Sequence, residues 1–353
     1  MKIAILSLQS RFGDVTGDCV QAEKTAAALR ALGEDAARYF LDVISGAVYN
    51  ESNELLGNWA DVFGDMDIIH TIPPIPFGNI KRLPKVKAKL VASTVFWCSP
   101  TYWKVLLRTK PNFDKEFAKL IVRELLGRVG VRLLTKFDGY DLLLPNSEAE
   151  AENVRKYCRV KTGVRIVPVP NGIDPIPDDS ERLSRPEGVP DTDYMLVPGC
   201  FHPRKNQETL IRALSDFPHP IVFMGSGVLL EKCKRLASSR MIFLGHIPHG
   251  TSEFYAIFKF ARLVCLSSNC ETPSIAALEG AAMGARPVVP LEGGTREYYG
   301  DDAQYLDPLS QNSIATAVNR AWVRGRLSEK QRMRYRALTW QTVAEKTLEA
   351  YGE

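Results

Sequence analysis

Two glutamates eight positions apart, Glu271 and Glu279, sit where an apolar run gives way to a run of small residues. The apolar run, Arg262 to Leu266, reads as a strand, and Ser274 to Met283 reads as a helix. One carboxylate therefore lies at the strand-to-helix turn and the other about two turns into the helix. Eight positions are roughly 800° of rotation, which returns the second carboxylate toward the face of the first. Pro273 suits the first helical turn, whose amides have no acceptor inside the helix and make an anion site. Carboxylates accept from hydroxyls, and open amides donate to phosphate. The ligand this combination suits is a sugar joined to a nucleoside diphosphate.

The elements that must hold such a pocket are legible on both sides of it. The chain's 353 residues suit two domains of roughly 150–200 residues each. A hydrophobic share of 45% and a charged share of 24% allow two ordinary cores. Strand and helix signals alternate: strand Lys2 to Ser7, a loop bearing Gly13 and Gly17, a helix from Val20 to Leu32 stopped at Gly33, then strands at 67–70, 90–96, 142–145 and 164–170. A helix from Glu148 to Lys156 follows the cap signal Asn146-Ser147. After a Pro- and Asp-rich linker the alternation restarts at Tyr194 and runs to Val289. Continuous apolar strands separated by helices imply parallel sheets covered on both faces, whose ligands bind at the carboxyl ends of the strands. A last helix spans Trp340 to Tyr351.

Seven scattered cysteines, none in a Cys-x-x-Cys pair, fit a reduced intracellular chain better than a disulfide scaffold or a zinc site. The short apolar start reads as a strand, not a leader, and no run approaches the roughly 20 apolar residues of a membrane span. The expected location is the cytoplasm. Net charge is +4, yet residues 81–136 hold fourteen Lys/Arg against three Asp/Glu. That segment is either a solvated face or a surface drawn to an anionic membrane or anionic acceptor. The amphipathic stretch Phe117 to Val129 favours peripheral membrane contact; no motif points to nucleic acid. Asp191-Thr192-Asp193 resembles a metal motif in letters only, because it precedes a strand and so lies at the wrong end for a cleft ligand. No metal and no cofactor are expected.

Several pieces in order resemble glycosyltransferase family 4, a retaining group of the GT-B fold. Pro198-Gly199-Cys200-Phe201-His202-Pro203-Arg204-Lys205-Asn206 resembles its donor-phosphate loop, and Gly245-His246-Ile247-Pro248 its base-binding loop. The stretch from Glu271 to Glu279, with its tail Gly284-Ala285-Arg286-Pro287, resembles the paired-glutamate motif. Gly293-Gly294-Thr295-Arg296-Glu297 follows as the glycine-glycine-x-x-glutamate. Gly17, the strand Asp67-Ile68-Ile69-His70, Asn146-Ser147-Glu148 and Pro170-Asn171-Gly172-Ile173-Asp174 fit in the first half.

The resemblance implies an α/β GT-B chain, with two Rossmann-like domains whose parallel sheets face across a cleft. Residues 1–175 would be the acceptor-side domain, 176–193 a linker, 194–335 the donor domain, and 336–353 a helix returning to the first domain. Glu271 would hold the donor sugar and Lys205 would neutralise the leaving diphosphate. Glu279 would take the ribose hydroxyls, and Pro273, Ser274 and Ile275 would present the phosphate-facing helix start. Arg204, Gly17, His246 and Ile247 would also contact the donor, with lesser roles for His70, Gly13 and Cys200. The implied partners are a nucleotide-sugar donor and a glycan or lipid-linked acceptor. A non-catalytic nucleotide-sugar-binding subunit and a sugar-nucleotide epimerase of the same fold are the alternatives. Two departures stand out. Cys200 replaces the family's usual arginine, and no histidine lies between His70 and His202, where Phe96-Trp97-Cys98-Ser99 occupies the expected place.

Overall fold

The computed structural model describes residues 1–13, 17–75, 83–97, 136–177, 180, 182–269 and 271–352. Most of the basic segment 81–136, including the stretch Phe117 to Val129, lies outside them. Among the described residues, one compact unit gathers 1–97, 136–172 and 340–352, and the other 173–339.

The first unit is built on an eight-stranded sheet, formed by β1 (Lys2–Leu8), β2 (Asp35–Leu41), β3 (Ala47–Tyr49), β4 (Leu55–Asn58), β5 (Ile68–Thr71), β6 (Lys89–Ser93), β7 (Leu142–Leu144) and β8 (Arg165–Ile166). Their order is β4-β3-β2-β1-β5-β6-β7-β8. In that order β2, β1, β5, β6, β7 and β8 pair in parallel, whereas β3 and β4 add an antiparallel edge. The expected parallel sheet is thus extended by an edge hairpin: the chain returns through short turns at 42–46 and 50–54, so no crossover helix is needed. The strand expected at 164–170 shrinks to Arg165–Ile166. Pro168 and Pro170 have no amide to offer a ladder. Helix α1 (Gly17–Ala31) buries Ala22, Ala26 and Leu29. It packs against the C-terminal helix (Trp340–Gly352), which buries Val343, Ala344, Thr347 and Ala350.

The second unit carries six parallel strands: β9 (Tyr194–Pro198), β10 (Ile221–Met224), β11 (Met241–Gly245), β12 (Ala261–Cys265), β13 (Arg286–Pro290) and β14 (Gln304–Leu306). The order is β11-β10-β9-β12-β13-β14. Residues of β9 alternate between two cores, as a period of two demands. Met195 and Val197 join Leu210, Ile211, Ile314 and Val318 on one face. Tyr194 and Leu196 join Phe254, Ile257 and Phe258 on the other. Each large side chain removed from water contributes about 1.5–3 kcal/mol, so both faces must be covered by helices. The order of this sheet reverses between β9 and β12, the place where such sheets open a crevice at their carboxyl ends. Among the described residues no helix is long and apolar enough to cross a membrane.

Candidate functional site

The loops that leave β9 and β12 are stitched together at that reversal. After β9 the chain makes a short helical turn, Pro203–Lys205, ended by Asn206 in the left-handed region at φ 57°. Asn206 Nδ2 donates to Ser267 O at 3.1 Å and to Pro308 O at 2.8 Å. Ser267 Oγ donates back to Lys205 O, and Asn269 N donates to Arg204 O at 2.9 Å. These bonds fix where Lys205 begins. Its Nζ reaches Glu271 Oε1 at 2.5 Å and Oε2 at 3.3 Å. Ser268 Oγ donates to Glu271 Oε1 at 3.1 Å. Glu271 is 6% exposed, so a buried carboxylate meets its cation and a hydroxyl, as burial of charge requires.

Helix α2 (Ile275–Ala282) starts from the N-cap Ser274. Ser274 O accepts from Ala277 N and Leu278 N, while the amides of Ile275 and Ala276 have no protein acceptor among the described residues. Pro273 is buried just ahead of them. Glu279 follows in α2 at 2% exposure. The helix lies close on the sheet: a Cβ at Gly280 would meet Val264 Cγ1 at 2.7 Å. Glu279 Oε1 is 2.5 Å from His249 Nε2, and His249 Nδ1 is 3.7 Å from Asp174 Oδ2. His249 and Asp174 were not among the expected site residues. The signal was the loop after β11, where the resemblance drew attention to His246 and Ile247, three and two positions before His249. His246 is exposed, and Ile247 packs against the core beneath.

Gly293, in the glycine-glycine motif, has a mechanical role in the structure. Its φ is +100°, and a Cβ there would stand 1.6 Å from Glu271 O. Only glycine lets the loop after β13 lie against the Glu271 backbone. Arg204 is exposed with no carboxylate paired to its guanidinium among the described residues. Cys200 is an exposed free thiol whose backbone O accepts from Gln207 Nε2 at 2.9 Å. Partial desolvation, with the cations of Arg204 and Lys205, holds the His202 imidazole below its usual range. Asp193 of the Asp-x-Asp run pairs with Arg262 at 2.6 Å, at the amino end of β9. Among the described residues no group of three or more His, Cys, Asp or Glu could hold a metal ion.

In the first unit the sheet order turns at β1, and the loop after β1 carries Gly13 and Gly17. A Cβ at either glycine would meet nothing within 4 Å. His70, at the end of β5, is 1% exposed. Its Nδ1 is 2.8 Å from Tyr351 OH and its Nε2 2.9 Å from Ser93 Oγ, so both ring nitrogens are engaged. Burial pushes its pKa down to about 3, keeping the ring neutral. After β6 comes Thr94 to Trp97, which covers the first half of the stretch Phe96 to Ser99 where the histidine was expected; Cys98 and Ser99 lie outside the described residues. Val95 has φ +40°, a strained value for a β-branched residue, and its side chain is among the exposed hydrophobics. Glu150, fully buried, clamps that loop: it accepts from Thr94 Oγ1, from Phe96 N at 2.6 Å and from Asn146 N at 2.9 Å. Burial pushes its carboxyl up to about 7, against the pull of those three donors.

Residues 179–340 match the family of glycosyl transferases group 1. That span holds Lys205, Glu271, Glu279 and Gly293. No curated protein matches the chain. Solved structures do, over nearly the whole length. Sucrose-phosphate synthase from Thermosynechococcus elongatus is 17% identical at a TM-score of 0.69, with 99% of this chain and 98% of that one covered. HepE from Anabaena, crystallised with UDP-glucose, is 17% identical at 0.61, covering 100% and 97%. WaaG, a glycosyltransferase involved in lipopolysaccharide biosynthesis, is 16% identical at 0.61, covering 97% and 95%. At such identities the likeness speaks for the fold, which is GT-B: two α/β units, each on a largely parallel sheet.

Proposed function

We propose that the chain is a glycosyltransferase that moves a sugar from a nucleoside-diphosphate sugar to a hydroxyl of a glycan or lipid-linked acceptor. Transfer proceeds with retention and without a metal ion. The observation that carries this reading is Lys205 bonded to Glu271 at the strand-order reversal, beside the open start of the helix that holds Glu279. The family match over 179–340 supports it. The UDP-glucose complex of HepE makes a uridine donor the first to try.

In this reading the diphosphate lies at the amides of Ser274 and Ile275, as helix starts favour anions. Lys205 turns from Glu271 to the phosphate. Glu271, relieved of its cation, accepts from donor-sugar hydroxyls, and Glu279 accepts from ribose. The bond between the anomeric carbon and the phosphate oxygen breaks while the acceptor oxygen attacks on the same face. The proton of the acceptor hydroxyl passes to that phosphate oxygen, so no protein base is consumed. Lys205 and the helix start stabilise the charge that develops on the leaving group. His246 and Ile247 lie against the base, with Arg204 and Cys200 nearby in the same unit as further contacts. Residues 1–175 serve the acceptor and 194–335 the donor; segment 81–136 meets an anionic membrane surface from the cytoplasmic side.

A thermal-shift panel of UDP-, GDP-, ADP- and dTDP-sugars tests the reading. A donor at a hundred times its Kd stabilises by about 2.7 kcal/mol. Stabilisation by one donor class, with release of its diphosphate when an acceptor is added, is the expected result. Binding with no turnover would make the chain a non-catalytic subunit, and conversion of the donor to its epimer would make it an epimerase. A panel with no shift would overturn the proposal.

A further inference from the structure

We infer that His249 is a positioning residue for the donor's ribose: it holds the Glu279 carboxylate in place, with Asp174 beside its other ring nitrogen. The inference rests on the functional reading above and adds a residue to it. Four restraints set the ring. Pro248 precedes it, and Gly250 follows at φ +79°. Thr251 Oγ1 donates to Pro248 O at 2.9 Å and accepts from Phe254 N at 3.2 Å, closing the loop onto the next helix. The imidazole stands edge-on to Phe254, with ring centres 4.7 Å apart.

Nε2 faces a carboxylate oxygen at 2.5 Å, so that nitrogen carries the proton and donates to Glu279 Oε1. Asp174 lies on the other side of the ring, 3.7 Å from Nδ1. Asp174 is itself anchored, because the preceding residue, Ile173, donates its amide to Leu338 O at 2.8 Å. A carboxylate held in one rotamer before binding meets a vicinal pair of hydroxyls with little loss of rotamer freedom. His249 side-chain exposure of 33%, against 3% for Glu279, puts the ring on the more open side of the carboxylate.

The test compares UDP with 2′-deoxy-UDP by calorimetry, with the guanosine and adenosine pairs run in parallel. The wild-type chain should prefer the ribose form. His249→Ala should weaken UDP about tenfold, the scale of one charge-assisted hydrogen bond, and leave 2′-deoxy-UDP nearly unchanged. His249→Gln, which can donate to Glu279 from its own Nε2, should restore much of the preference. Lys205→Ala should weaken both nucleotides alike, since it touches phosphate. Equal weakening of both by His249→Ala, or an intact preference in that variant, would overturn the role of His249 while leaving the nucleotide site standing. Failure of every diphosphate to bind the wild-type chain would overturn both readings.

Discussion

Replacing Gly293 by alanine should disable the site without unfolding the chain. The new Cβ would stand 1.6 Å from Glu271 O, whereas real Cβ atoms stay beyond 3.0 Å, so the two backbones must part by at least 1.4 Å (3.0 − 1.6). The left-handed backbone at φ +100° adds about 1–2 kcal/mol for a residue with a side chain. Glu271 then leaves the position in which Lys205 meets it at 2.5 Å. A misplacement of about 1 Å in a catalytic constellation can cost about 100-fold in rate. Gly293→Ala should therefore lower kcat/KM by about 100-fold or more, measured as diphosphate release from the preferred donor. Gly163→Ala is the control: φ is +94° there, but nothing lies within 4 Å. It should lose a few degrees of Tm, on the order of 1 kcal/mol, and keep its turnover. Wild-type turnover in Gly293→Ala would refute the argument that this glycine sets the position of Glu271.

Other expectations concern the buried groups of the first unit. Glu150, raised to about 7 by burial, keeps a proton between pH 4.5 and 7 that the unfolded chain releases, so its stabilising contribution falls as pH rises through that window. His70, lowered to about 3 by burial, stays neutral below pH 6.5 where the unfolded chain takes up a proton, so its contribution falls as pH drops. Between pH 4.5 and 6.5 the two slopes oppose, each about 1.4 kcal/mol per pH unit. Relative to the wild-type chain, Glu150→Gln should lose stability on acidification from pH 6.5 to 5, and His70→Gln should lose it as pH rises from 5 to 6.5. The urea midpoint of the transition that exposes Trp59 reads both, and parallel pH profiles in all three proteins would contradict the assignment.

The parallel order of the second unit was legible because each strand there is a short apolar run between helices, from Tyr194 to Val289. The strand β2 was missed: Asp35 and Arg38 interrupt its apolar pattern, and only pairing with β1 makes it a strand. The antiparallel edge was missed because three- and four-residue strands carry too little periodicity to register. Of the candidate site, the spacing of Glu271 and Glu279 placed both on one strand–helix unit, but it could not reveal that Lys205 closes on Glu271 across 66 residues. That pairing depends on β9 and β12 becoming neighbours. His249 was hidden for the same reason, since Glu279 and Asp174 reach it from separate parts of the chain. Gly293 reads as a loop glycine until the strand before it is placed beside the loop that carries Glu271.

The central claim is that Glu271 and its partners serve sugar transfer from a nucleotide donor. The most direct measurement is diphosphate release from the donor that stabilises the chain, with acceptor present, in wild-type and Glu271→Ala proteins of matched thermal stability. Release by the wild-type chain and its loss by at least about 100-fold in Glu271→Ala is the predicted result, because a charge-assisted contact in a dry site is removed. Equal release by the two proteins would contradict the account.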